Sequence, residues 1–310
     1  MLLNPRCGRI HFMFASPNSG KLPLRILAVA IFISGCAISM GAQETPKPRP
    51  SPPRTVILPP KMVAGDPATL AVLDSSGRLV SGVVVELSSG QKATTDSTGR
   101  ALFVASSDAG PMTAKILGQQ TKALSTVVPR SVSEAPASGD STETQLNQFH
   151  IAYPKFITLH DRFTIDGAGF NGRAASNHVY LSDQPCLILA ASPVSLVVLP
   201  GLHIPIGPIA MRINSGRTEL GPLPVSAVLL EFTGPAESVN AGSETKLVLR
   251  ARGTTEPLAI EVRNGSPAVM QLAHGNVQRV QTSGGEQNIA ELNMKLLAAG
   301  DYIVTARLVP

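Results

Sequence analysis

Between residues 62 and 309 the chain reads as short runs of alternating apolar and polar residues, broken by Gly, Asp, Ser and Pro. Alternation with period two puts one set of side chains on each face of a β-strand, and closely spaced turn residues favour sandwiches over helical packings. The first stretch predicts strands over 68–73, 83–87, 92–95, 101–105, 112–117 and 123–128. Near the end, Leu247, Leu249 and Ala251 alternate with Lys246, Val248, Arg250 and Arg252. Leu258, Ile260 and Val262 alternate with Ala259, Glu261 and Arg263 before a turn at Asn264-Gly265. One face of each strand is expected to be buried and the other wet. Residues 294–299, although free of Gly and Pro, read as strand rather than as a helical turn.

Two turns nearly repeat: Asp74-Ser75-Ser76-Gly77-Arg78 and Asp96-Ser97-Thr98-Gly99-Arg100. An Asp side chain can accept the backbone N–H groups of its own turn, and Gly takes the positive φ such turns require. A calcium loop would need more oxygen ligands at regular spacing, so these are expected to be turns.

Ahead of the strands, residues 1–42 contain Arg6, Arg9, Lys21 and Arg25 and no acid, then an apolar run over 26–33 and small residues to Ala42. That is the pattern of a secretory signal peptide, and the apolar run is too short for a confident membrane span. Two processing routes compete. Cleavage after Ala42 is favoured; Ile33-Ser34-Gly35-Cys36 resembles a bacterial lipobox, which would lipidate Cys36 and anchor the chain to a membrane. Prolines crowd residues 43–61 between Lys and Arg and predict an extended stalk. Residues 130–148 are small, polar and non-periodic, as an interdomain linker is. The expected organisation is therefore a signal peptide (1–42), a stalk (43–61), a β-sandwich (62–129), a linker (130–148) and two further β-sandwiches (149–226 and 227–310).

Composition changes the picture in one respect. The 310 residues carry a formal charge of +5, which on its own would suggest nucleic acid. Removing the leader takes four positive charges and no negative ones and lowers the charge to +1. The stalk holds Lys47, Arg49, Arg54 and Lys61 against Glu44, so the folded remainder is slightly acidic. No basic excess is left for a nucleic-acid backbone.

The search for chemistry returns little. Of three Cys, Cys7 and Cys36 belong to the leader, leaving Cys186 unable to form an internal disulfide. As a nucleophile it would need a base, for which His178 and His203 are the nearest by sequence; a buried apolar thiol is the expected state. His150, His160, His178, His203 and His274 show no His-x-His or His-Glu-x-x-His spacing. His160 and Asp161, being adjacent, are expected on opposite faces of a strand. No catalytic residue, metal ligand or cofactor-binding motif is assigned. Trp is absent, and only six Phe and three Tyr follow the leader. Tyr153 and Tyr180 are the candidate surface contacts, and this scarcity of aromatics argues against a polysaccharide partner.

Residues 65–74, 82–87 and 95–103 together resemble two groups of β-sandwich domains, the bacterial Ig-like type of invasins and intimins and the carboxypeptidase regulatory-like type. Neither resemblance implies catalysis. The middle stretch carries a sharper one: Phe163-Thr164-Ile165-Asp166-Gly167-Ala168-Gly169-Phe170, then 177–183, 195–200 and 207–213, resembles the immunoglobulin-like IPT/TIG domain in the order and spacing of its blocks. It implies a strand running into a Gly-rich bend, with Phe170 plugging the core, Val179 and Leu181 pointing inward, and Pro200 ending a strand. The segment 153–162 keeps Pro154 but lacks the family's usual Pro-Ser-Gly run. Residues 299–306 resemble the tyrosine corner of immunoglobulin-like sandwiches at Tyr302. Together these imply an all-β chain of three tandem immunoglobulin-like sandwiches. The expected function is that of a non-catalytic surface or periplasmic protein of a bacterium that binds or spaces other proteins through strand edges and end loops. A polysaccharide-binding accessory module is the alternative, and a hydrolase with a hidden site around His160 a third reading.

Overall fold

The computed structural model describes residues 53–130, 151–216, 218–234 and 240–309. The leader with Cys36 and Ala42, stalk residues 43–52, and residues 131–150 (nearly all of the expected linker, and His150) lie outside them. Among the described residues the chain is all-β, with one 3-10 turn at Ala174–Ser176.

The N-terminal part folds as β1 (Thr55–Ile57), β2 (Lys61–Val63), β3 (Pro67–Leu73), β4 (Val84–Leu87), β5 (Lys92–Thr94), β6 (Arg100–Val104), β7 (Gly110–Ile116) and β8 (Lys122–Val128). A sheet ordered β2-β8-β7-β4-β5 packs on β1, β3 and β6. All six predicted strands form, because Val85, Leu87, Met112, Ala114 and Phe103 occupy the alternate positions that reach the core. Both repeated turns form as expected. Asp74 Oδ1 accepts the N–H groups of Ser76 and Arg78, and Asp96 Oδ1 those of Thr98 and Arg100, with Gly77 and Gly99 at positive φ.

The stalk expectation needs correcting at its end. Residues 55–61 belong to the folded body: Val56, Ile57 and Leu58 are buried, and β1 pairs with β3 from Thr55↔Leu73 to Ile57↔Ala71. Three consecutive apolar residues outweigh the flanking prolines, which lack N–H donors but still offer carbonyls. The Ser125 hydroxyl donates to Pro59 O at 2.6 Å and the Thr126 N–H to Pro60 O at 2.9 Å.

The middle part comprises β9 (Phe156–Thr158), β10 (Phe163–Asp166), β11 (Asn177–Leu181), β12 (Gln184–Pro185), β13 (Leu187–Ser192), β14 (Ser195–Leu199), β15 (Gly207–Ser215) and the long β16 (Thr218–Thr233). Phe170, Val179 and Leu181 are buried in its core beside Ile165, Leu196 and Met211, and β14 stops just before Pro200. Asn177 pins the Gly-rich bend: its Oδ1 accepts the Asn171 N–H, and its Nδ2 donates to Asn171 O and Arg173 O.

The C-terminal part adds β17 (Glu244–Arg252), β18 (Ala259–Asn264), β19 (Met270–Leu272), β20 (Val277–Gln281), β21 (Ile289–Leu296) and β22 (Val304–Leu308). Leu247, Leu249, Ala251, Leu258, Ile260, Val262 and Tyr302 fill its core; of the strand expected over 294–299, residues 294–296 are strand and 297–299 are not. Two expectations fail. Asn264-Gly265 is not a hairpin turn; it carries the chain from the β20-β18-β22 sheet to β19 in the facing sheet. Asn264, buried, bonds Met270 O through Nδ2 and the Ser266 N–H through Oδ1. Glu261 sits on the outward face yet is only 7% exposed, because Arg263 and Arg307 close over it.

The three parts are fused rather than strung out. β3 is buried on both faces. Ala68, Leu70 and Val72 enter the N-terminal core, while Ala71 and Leu73 join Ile57, Leu189, Ala190 and Val197 in a separate apolar cluster. Full burial of a Val, Leu or Ile side chain stabilises by about 1.5–3 kcal/mol, so this seam holds the two parts firmly. β3 also meets β13 at Thr69↔Ala191, giving a six-stranded sheet shared by both. On the other side, β16 pairs with β15 over its first half and with β17 over Leu229–Thr233. Val225 and Ala227 enter the middle core; Val228 and Phe232 enter the C-terminal one. The same strand is thus part of two sandwiches. Gly253 permits the turn beside it, since a Cβ there would stand 2.3 Å from Ala227 O.

Candidate functional site

β9 lies against this second junction, parallel to residues 226–228 of β16. Because neighbouring residues on a strand point to opposite faces, Ile157 enters the middle core while Phe156 packs against the C-terminal one. The junction of the two sandwiches leaves a cleft of about 720 Å³. Tyr153, Phe156 and Phe163 approach from one side and Pro257, Leu258 and Leu308 from the other. That volume is within the range of ordinary ligand pockets, and the cleft is largely apolar inside with charges at the rim.

The rim is ordered by ion pairs. Lys155 Nζ is 2.7 Å from Glu256 Oε1, linking the two sandwiches, and lies 5.3 Å over the Phe156 ring. Asp166 pairs with Lys61 of the N-terminal part at 3.0 Å, while its buried Oδ1 has no partner among the described residues. Beside the cleft rather than in its lining, Glu261 Oε1 accepts from Arg263 Nε and Arg307 Nη2, each at 2.8 Å. The hydrogen bond from Arg263, followed by the charges of both arginines, holds the Glu261 carboxyl below the usual carboxylate range. A second cavity of about 570 Å³ opens beside the cleft, and the two share Asp161, Arg162, Leu308 and Val309.

The residues singled out in the sequence fall in different places. Tyr153 is half-buried, packs against the middle core and lines the cleft. Tyr180 is half-buried on β11, opposite Arg212 and Pro185, and does not line the cleft. His160 and Asp161 are not on a strand; they form the turn after β9 and line one small cavity together, because β9 ends at Thr158. Cys186 is half-buried, and burial pushes its thiol up to about 11. It is protonated at neutral pH and is not an activated nucleophile. His178 and His203, the two bases considered for it, are both exposed. Among the described residues no group of three His, Cys, Asp or Glu is placed to hold a metal. No helix among them is long and apolar enough to cross a membrane. The sequence reading missed the arginine cluster around Glu261, although Glu261 and Arg263 share a face by alternation; Arg307 and Arg279 join them only through strand pairing.

No protein-family model and no curated protein matches the chain. Solved structures match it at low identity and low TM-score. SGBP-B of the Bacteroides ovatus mixed-linkage glucan utilization locus, in complex with a mixed-linkage heptasaccharide, is 11% identical, with a TM-score of 0.26 over 80% of this chain and 74% of that one. The plexin A4 extracellular region is 12% identical, with a TM-score of 0.26 over 79% of this chain and 21% of that one. Surface layer protein SbsC, domains 1–6, is 9% identical, with a TM-score of 0.19 over 80% of this chain and 37% of that one. The all-β sandwich fold rests on the chain's own strands, sheets and cores.

Proposed function

We infer that the chain is an exported bacterial, non-catalytic binding module that holds a preformed cleft at a fixed position on a stiff, three-sandwich body, at the cell surface or in the periplasm. The observation that carries this reading is β16: one strand paired into two successive sheets fixes the angle between the sandwiches that form the cleft. A ligand then meets a surface whose ordering cost has already been met by folding. The basic, apolar leader supports export, and cleavage after Ala42 is the favoured route, with lipidation of Cys36 the alternative. For the middle part we infer an IPT/TIG-type sandwich, supported by buried Phe170, Val179 and Leu181 and by the bend that Asn177 pins. The protonated thiol of Cys186 supports a binding rather than a catalytic role.

Fractionation of bacteria producing the full chain tests the reading. Protein recovered from the envelope or medium without residues 1–42, or processed at Cys36, is the expected result. Intact protein retaining its leader in the cytoplasm would overturn it.

A further inference from the structure

Across the outward face of the β20-β18-β22 sheet, Glu261 lies in register with Arg279 on one side and Arg307 on the other. The turn after β9 adds Arg162, so that Arg162, Arg279 and Arg307 line one cavity of about 570 Å³. Two acids share this wall. Glu261 is engaged by Arg263 and Arg307, and Asp161 Oδ1 accepts the backbone N–H of Arg162 at 2.8 Å. Arg162 and Arg279 are exposed and make no ion pair among the described residues. The wall therefore holds three arginines against two acids, and the two arginines outside those ion pairs are open to solvent.

A guanidinium presents N–H donors in a flat fork that matches a carboxylate. The cavity adjoins the apolar cleft, with which it shares Asp161, Arg162, Leu308 and Val309. A fitting ligand therefore carries carboxylates at one side and apolar groups at the other. A sugar ring would need an open aromatic face to stack on. Here Lys155 lies over Phe156 and Phe163 is buried, while Tyr153 packs against the middle core. A peptide needs no such platform. β22 supports one further: it is paired to β18 only and borders both cavities through Leu308.

We propose that the arginine-lined cavity and the adjoining cleft together bind an extended acidic peptide segment of a partner protein, with Arg162 and Arg279 taking its carboxylates and the Leu308 side its apolar residues. The proposal rests on the binding-module reading above and names its partner class. Displacing surface water from two exposed guanidiniums costs little, and each charge-assisted contact is expected to contribute appreciably to affinity.

The test is fluorescence anisotropy on the full chain with a labelled eight-residue peptide of alternating Glu and Leu, and a Lys/Leu counterpart. The Glu/Leu peptide is expected to bind, more weakly as salt is raised. The double variant Arg162→Gln/Arg279→Gln should lose about tenfold or more in affinity while its unfolding midpoint changes little. Absence of Glu/Leu binding, equal binding of the Lys/Leu peptide, or undiminished affinity in the double variant would overturn the proposal. Tighter competition by tetragalacturonate than by the Glu/Leu peptide would overturn the peptide class in favour of an acidic glycan. Any of these with export intact leaves the binding-module reading standing, whereas cytoplasmic retention overturns that reading independently of the peptide result.

Discussion

The Thr69 hydroxyl donates to the Gly172 carbonyl at 2.7 Å and accepts the Ala174 N–H at 3.2 Å, joining residues more than a hundred positions apart. Thr69 is 5% exposed, and the backbone at Gly172 passes so close to β3 that a Cβ there would stand 2.0 Å from Pro67 O. The seam between the N-terminal and middle sandwiches is therefore closed by backbone contact as well as by apolar packing. Arg100 Nε donates to Ile188 O at 2.9 Å and the Ser192 hydroxyl to Lys61 O at 2.6 Å along the same line.

Gly172→Ala is expected to force the seam apart and destabilise by about 3 kcal/mol, the upper end of typical overpacking costs. Thr69→Val keeps the shape but leaves the Gly172 carbonyl without its donor, for about 1–3 kcal/mol. Urea unfolding of both variants against the parent chain measures these losses.

Glu261 gives the fold an acid-sensitive point. Its folded carboxyl titrates below the usual range, so it adds stability above the unfolded-state value that is lost as pH falls through the folded one. Glu261→Gln should be less stable than the parent at neutral pH, with the difference shrinking in acid. Thermal midpoints from neutral pH down into the carboxylate range check this.

Cys186 acts at the opposite end. Its thiol titrates at about 11 in the fold against an ordinary 9.0. Stability is unaffected below the unfolded value and falls as pH rises from there through the folded one, because only the unfolded chain releases the proton. Iodoacetamide should therefore alkylate the native chain more slowly than the urea-unfolded chain at mildly alkaline pH. Cys186→Ala should flatten the alkaline loss of stability.

The leader is tested separately. If cleavage follows Ala42, Cys36→Ala should leave the size of the exported chain and its release unchanged. Accumulation of unprocessed protein, or loss of membrane association, would assign the lipoprotein route instead.

Strand positions were legible because each core needs one side chain in two, and residues such as Val85, Leu87, Leu247 and Leu249 repeat that need locally. The fusion of the parts was less legible, though it left a trace. Residues 68–73, 187–191 and 196–199 are apolar at nearly every position, which marks strands buried on both faces; the second face belongs to the seam. The cleft was not legible at all. It depends on β16 crossing from one sheet to the next and on the turn after β9, relationships set by pairing between distant segments rather than by local pattern. The same is true of the stalk boundary, where proline content masked the buried Val56-Ile57-Leu58 run.

The stiffness of the body is measured most directly by double electron–electron resonance. Spin labels would be placed at Ser76→Cys and Gln287→Cys, both exposed positions in the first and last sandwiches, with Cys7, Cys36 and Cys186 replaced by Ala. The seam at Thr69 and the shared strand β16 predict one narrow distance distribution, unchanged by salt. A broad distribution, as from sandwiches tumbling on free linkers, would contradict the account.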